Sequence, residues 1–175
     1  MDESRSASAA VPRTGRGTDP LIGRLINERY KILAVIAHGG MGKVYRAEQA
    51  PLGRLVALKV LSPNYNGESD PEFHKRFFLE ASIASKLRHP NTVTIFDYGK
   101  TDDEIYYIAM ELLEGRTLHR ALRDEGTLSP ERTVHIAGQI CRALREAHGI
   151  GVIHRDLKPA NVYLVKHGDE NEFTK

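Results

Sequence analysis

The stretch HRDLKPAN, residues 154–161, brings an aspartate, a lysine and an asparagine together on a segment that Pro159 marks as a loop. An aspartate can accept or orient the proton of an attacking hydroxyl. A lysine can neutralise a phosphoryl group in flight, and an asparagine carbonyl can coordinate Mg²⁺. Transfer of a phosphoryl group needs positioning and charge stabilisation more than covalent help from the protein. Alone, the same three residues describe a salt-bridged turn, so what precedes them in the chain decides between the two readings.

Two upstream features bear on it. IAHGGMGKVY, residues 36–45, puts glycines between two β-rich runs, 30–37 and 43–49. A glycine-rich hairpin tip lets backbone N–H groups approach phosphate oxygens where a Cβ would obstruct them. Its place between strands, not ahead of a helix, argues against a dinucleotide-binding fold or a Walker-type loop. Next, VALKV sets Lys59 in the middle of an apolar strand, where its ammonium must reach water or a counter-charge. Glu80, on the helical segment that follows, is the nearest candidate. Each feature has a plain structural reading, a turn and a snorkelling lysine; their order along the chain raises the functional one.

The remaining pattern is α+β. A third run, 54–61, should pair beside the second. Asp70 and Pro71 read as the start of a helix extending toward Leu87 and ended by Pro90. Residues 92–99 and 104–112 read as two further strands around an acidic turn. After Gly115 the character changes to helix, over 117–125 and again from Ser129 to Gly149, where Val134, Ala137, Cys141, Leu144 and His148 recur along one face. A short strand follows at 162–166. The expected division is a leader at 1–21, a β-rich lobe of five antiparallel strands with one inserted helix at 22–113, and the start of a helical lobe at 114–175.

Composition narrows the class. Of 175 residues 41% are hydrophobic and 27% charged, which allows a buried core, and the net charge of +2 is too even to argue for nucleic acid. Cys141 is the single cysteine, so an internal disulfide is excluded and a cytoplasmic location is expected. No apolar run approaches the ~20 residues of a membrane helix. The first twenty residues, rich in Ser, Gly and Arg, lack the apolar core of a secretory signal.

With the glycine tip, the strand lysine, the helix glutamate and HRDLKPAN in this order, the chain resembles the eukaryotic-type serine/threonine protein kinases of bacteria. The resemblance runs from about Ile22 onward. It implies a kinase fold and transfer of the ATP γ-phosphoryl group, with Mg²⁺, to a serine or threonine hydroxyl of a protein. By that resemblance the loop of Ala37, His38, Gly39, Gly40, Met41 and Gly42 covers the phosphates, and Ile36, Val44 and Ala57 enclose the adenine. Lys59 would hold the α- and β-phosphates and pair with Glu80. Met110 would be the gatekeeper, with Glu111 and Leu113 offering backbone groups to adenine. Asp156 matches the catalytic aspartate, Lys158 the γ-phosphate lysine and Asn161 the Mg²⁺ ligand, with His154 and Arg155 in support. The Lys158–Pro159 pair resembles the serine/threonine branch.

Two departures stand out. Ala37 occupies the place of the loop's first glycine, which is tolerable at negative φ. The family's Asp-Phe-Gly segment is not met within the 175 residues, so an incomplete catalytic domain is expected. Two alternatives follow: a non-catalytic module that binds nucleotide or a partner kinase, and a small-molecule phosphotransferase, whose catalytic loop usually lacks this wording. Self-association through an apolar face of the helical part is also expected.

Overall fold

A computed structural model describes residues 19–39, 42–61, 73–167 and 171–175. Most of the expected leader, the tip residues Gly40 and Met41, and the expected helix start at Asp70 and Pro71 lie outside the described residues.

The first sheet is antiparallel throughout and takes the order β1-β2-β3-β4-β6-β5. Its strands are β1 (Leu25–Ile26), β2 (Tyr30–Gly39), β3 (Gly42–Gln49), β4 (Arg54–Leu61), β5 (Ile95–Lys100) and β6 (Tyr106–Glu111). Five were expected. The sixth, β1, is two residues long and too short to carry an alternation signal.

Alternation along these strands sends side chains to two separate cores. On the outer face Ile26, Tyr30, Ile32, Tyr45, Val56 and Leu58 pack together, with Leu21 against them. On the inner face Leu61 and Ile108 pack with Phe77 and Ala81 of α1 (Phe73–Ala84). The helix stops short of the expected Leu87.

The break between the two expected lobes falls between Glu111 and Gly115. Beyond it, α2 (Leu118–Glu125) is capped by Thr117, whose hydroxyl accepts from the Arg120 amide at 3.1 Å. In α3 (Pro130–Gly149) Ser129 accepts from the Arg132 amide at 3.2 Å, and Pro130 opens the first turn. A second sheet, β7 (Gly115–Thr117), β8 (Tyr163–His167) and β9 (Asn171–Thr174), was anticipated only in β8. The face that α3 buries also differs from the expected one. Ile136, Gln139 and Ala147 are buried, while Val134 is 72% exposed and Ala137, Cys141 and His148 face solvent. Ile136, with Ala121 and Leu164, forms the core of this half.

Candidate active site

The site is built from the two faces of a cleft. Above it, register fixes the upper face: Ala37 pairs with Val44, Val44 with Lys59, Ala57 with Met110, and Lys59 with Ile108. Directly paired residues share a face of the sheet. The strands therefore set Ala37, Val44, Ala57, Lys59 and Met110 on the inner face, the side covered by α1. Ala57 is buried and Lys59 half-buried, whereas Ile36 at the rim is 49% exposed. Glu80 lies on α1, and its side chain, and with it the expected Lys59–Glu80 pair, lies outside the described residues.

The hairpin tip closes with Gly39 opposite Gly42, and His38 opposite Lys43. Gly42 is glycine for a reason of space: a Cβ there would run into the carbonyl oxygen of Val60 on β4. The start of β3 thus lies against β4 backbone to backbone.

At the junction of the lobes, the Glu111 amide donates to the Thr94 carbonyl at 2.9 Å, and the Glu111 carboxylate accepts from the Thr94 amide at 2.7 Å. Lys175 reaches the same carboxylate at 2.7 Å and 3.1 Å. Sequence reading missed both Thr94 and Lys175, since neither lies near Glu111 in the chain. Among the described residues none pairs with the backbone N–H or carbonyl of Leu113, which leaves a donor and an acceptor at the junction open to a ligand.

Residues 154–161 bring the side chains of Asp156, Lys158 and Asn161 together. The Lys158 ammonium lies 2.9 Å from Asp156 Oδ2, and Asn161 Nδ2 donates to the same oxygen at 3.0 Å and to the Asp156 carbonyl at 2.9 Å. A 3₁₀ turn, Pro159–Asn161, sets this spacing, and the Asp156 amide points back to His154, whose carbonyl accepts at 2.8 Å. Arg155 takes φ of +61°, a left-handed conformation that turns the chain sharply at this point. The Lys158 ammonium, then the Asn161 amide, hold the Asp156 carboxyl below the usual carboxylate range. The aspartate is exposed and fully ionised at neutral pH.

An apolar cleft of about 300 Å³ is lined by Ala84, Met110, Leu144, His154, Leu157 and Asn161 among others, and of the expected site residues only Met110, His154 and Asn161 border it. Met110 of the upper half and Asn161 of the lower half border one space. Because Asn161 Nδ2 is directed at Asp156, its Oδ1 is the atom left for a cation. Among the described residues no group of three or more acidic, His or Cys side chains forms a ready metal site. A metal held here would need phosphate oxygens as further ligands.

Comparison with known proteins gives a consistent picture. The family profile of the protein kinase domain matches residues 30–173. The serine/threonine-protein kinase pkn3 of Myxococcus xanthus is 44% identical over 158 residues, covering 90% of this chain and 28% of that protein. The serine/threonine-protein kinase PrkC of Bacillus subtilis is 48% identical over 147 residues, 84% of this chain and 22% of the relative. The chain therefore spans about a quarter of the length of these relatives. Among solved structures, a double mutant of the Mycobacterium tuberculosis PknI kinase domain superposes with a TM-score of 0.73 at 29% identity, over 90% of this chain and 62% of that one.

Proposed function

Because the chain belongs to the protein kinase family, in its bacterial serine/threonine branch, we propose that it binds Mg·ATP beneath the glycine hairpin and carries the loop that directs the γ-phosphoryl group to a serine or threonine hydroxyl of a protein. The observation that carries this reading is the Asp156–Lys158–Asn161 cluster, whose Asn161 borders the same cleft as Met110.

Each residue then has a definable task. Ile36, Val44 and Ala57 supply an apolar surface for the adenine, and the Glu111 and Leu113 backbone its polar partners. The backbone of residues 37–42 covers the phosphates, and Lys59 pairs with the α- and β-phosphates. Asp156 accepts a hydrogen bond from the attacking hydroxyl and directs its oxygen at phosphorus. Its lowered pKa makes it a weak base, which suits orientation more than early proton removal. In the transfer the bond from the γ-phosphorus to the β–γ bridging oxygen breaks and the bond to the hydroxyl oxygen forms. ADP leaves, and the hydroxyl proton is released through Asp156. Lys158 sits where it can offset charge on the moving phosphoryl group. Asn161 Oδ1 would hold Mg²⁺, whose contribution is to neutralise charge between the β- and γ-phosphates.

The 175 residues contain no Asp-Phe-Gly segment, and hence no carboxylate partner for Asn161 from that motif. Each ~1.4 kcal/mol of lost transition-state stabilisation costs tenfold in rate. Produced as these 175 residues alone, the chain should bind nucleotide and transfer no phosphate above background. Transfer of labelled γ-phosphate to a generic serine/threonine substrate tests this. A form continued through the family's Asp-Phe-Gly and substrate platform should be active, and Asp156→Ala should abolish that activity. Transfer by the continued form that survives Asp156→Ala would remove Asp156 from the mechanism.

A further inference from the structure

The carboxylate of Asp19 lies on the outer face of the first sheet, opposite the face assigned to nucleotide. A turn after Asp19, closed by the Ile22 amide donating to the Asp19 carbonyl at 3.0 Å, lays this residue over β3. Its Oδ1 accepts from the Leu21 amide at 3.0 Å, and its Oδ2 accepts from the Lys43 ammonium at 2.6 Å. The Tyr45 hydroxyl lies 3.2 Å from both oxygens. The Asp19 side chain is only 8% exposed, against 41% for Lys43. Lys43 and Tyr45 alternate with Val44, so Asp19 grips β3 from outside through the two residues flanking Val44. On the adjoining side Gly42 is pressed against β4, where no Cβ would fit.

The start of β3 is therefore held twice, and it is one arm of the hairpin whose backbone must meet the phosphates. We infer that Asp19 is a positioning residue: it braces the glycine hairpin from its outer face and thereby sets the affinity for the phosphates of the nucleotide. Burial pushes the Asp19 carboxyl up, but the bonds from Lys43, Leu21 and Tyr45 outweigh burial and hold it below the usual range. The carboxylate is thus charged whenever the site operates. Burial, with Asp19 beside it, also pushes the Tyr45 phenol up to about 12, so this hydroxyl remains a donor.

The role rests on the assignment of nucleotide to the inner face, and its sign separates it from a general field effect. Asp19 is a negative charge near a site for polyphosphate. By Coulomb repulsion alone, removing that charge would tighten ATP binding, all the more because Lys43 would be released from its partner. Loss of a brace weakens it instead, since more of the binding free energy is spent ordering the hairpin.

The test is calorimetric titration of Mg·ATP and of adenosine into the 175-residue chain, with Asp19→Asn, Lys43→Gln and the double variant. Asparagine keeps the shape and the acceptor for Leu21 while removing the charge. The expected result is a loss of roughly three- to tenfold in ATP affinity, the size of one partly buried ion pair. Adenosine affinity should not change, and the double variant should be no worse than either single one. Amide hydrogen exchange at 43–45 in nucleotide-free protein should quicken in both single variants. Tighter or unchanged ATP binding by Asp19→Asn, equal losses for ATP and adenosine, or unaltered exchange would each overturn the role. Failure of the unsubstituted chain to bind ATP would overturn the nucleotide assignment and this role together. That outcome is distinguishable from failure of the brace alone, in which unsubstituted and Asp19→Asn chains bind ATP equally.

Discussion

Asp156 is the residue on which the reading turns, and its neighbours set its charge. Lys158 at 2.9 Å favours the carboxylate more than Asn161 does. Lys158→Met should therefore raise the Asp156 pKa toward the ordinary value of about 3.9, and Asn161→Ala should raise it less. Carbon-detected NMR titration of the Asp156 carboxyl measures both; an unchanged midpoint in Lys158→Met would contradict the assigned cause. Because the folded-state value is lowered, the interaction is present above the ordinary carboxylate range and is lost as pH falls through the lowered value. This cluster was legible in the sequence because its members lie within one turn-forming octapeptide. The Asp19–Lys43 and Glu111–Lys175 pairs were not. Their partners stand 24 and 64 positions apart, and no periodic pattern links charges at such separations.

At the scale of elements, the strand patterns located β2, β3, β4, β5 and β6 because each runs for six residues or more. They could not locate β1, β7 or β9, which have two, three and four residues and are too short for an alternation to register. In α3 the periodicity was real but ambiguous. Positions 136, 140, 143 and 147 recur at helical spacing as well as 134, 137, 141, 144 and 148, and only the packing of β8, β9 and α2 selects the first set. What ties that helix to the sheet half is a buried polar bridge. Gln139 Oε1 accepts from Asn91 Nδ2 at 2.8 Å and from the Thr174 amide at 2.9 Å, and Asn91 also donates to the Thr174 carbonyl at 2.9 Å. All three residues are less than 9% exposed. Gln139→Leu removes the shared acceptor and strands two buried donors, each costing about 1–3 kcal/mol. The expected loss is about 3 kcal/mol, read in urea unfolding as a lower midpoint at constant slope. A loss under about 1 kcal/mol would mean that the bridge is replaced by water or by rearrangement.

The molecule as a whole joins a β-rich half to a helical half bearing residues 154–161, and residues of both halves line one cleft. That arrangement was legible from the order of four short motifs, since each needs a fixed kind of element to present it. Among the described residues no helix is long and apolar enough to cross a membrane. The nucleotide site is the claim on which the proposed function, the mechanism and the brace all depend. Lys59 is its sharpest test, because register sets this lysine on the inner face, between Val44 and Ile108, where the proposed phosphates would lie. Calorimetric titration of Mg·ATP and of adenosine into the chain and into Lys59→Met measures this directly. The predicted result is that the substitution lowers ATP affinity about tenfold or more, as for a lost charge-assisted contact of ~1.4 kcal/mol or above, and leaves adenosine affinity unchanged. Equal ATP affinity in the two proteins would contradict the placement of the nucleotide.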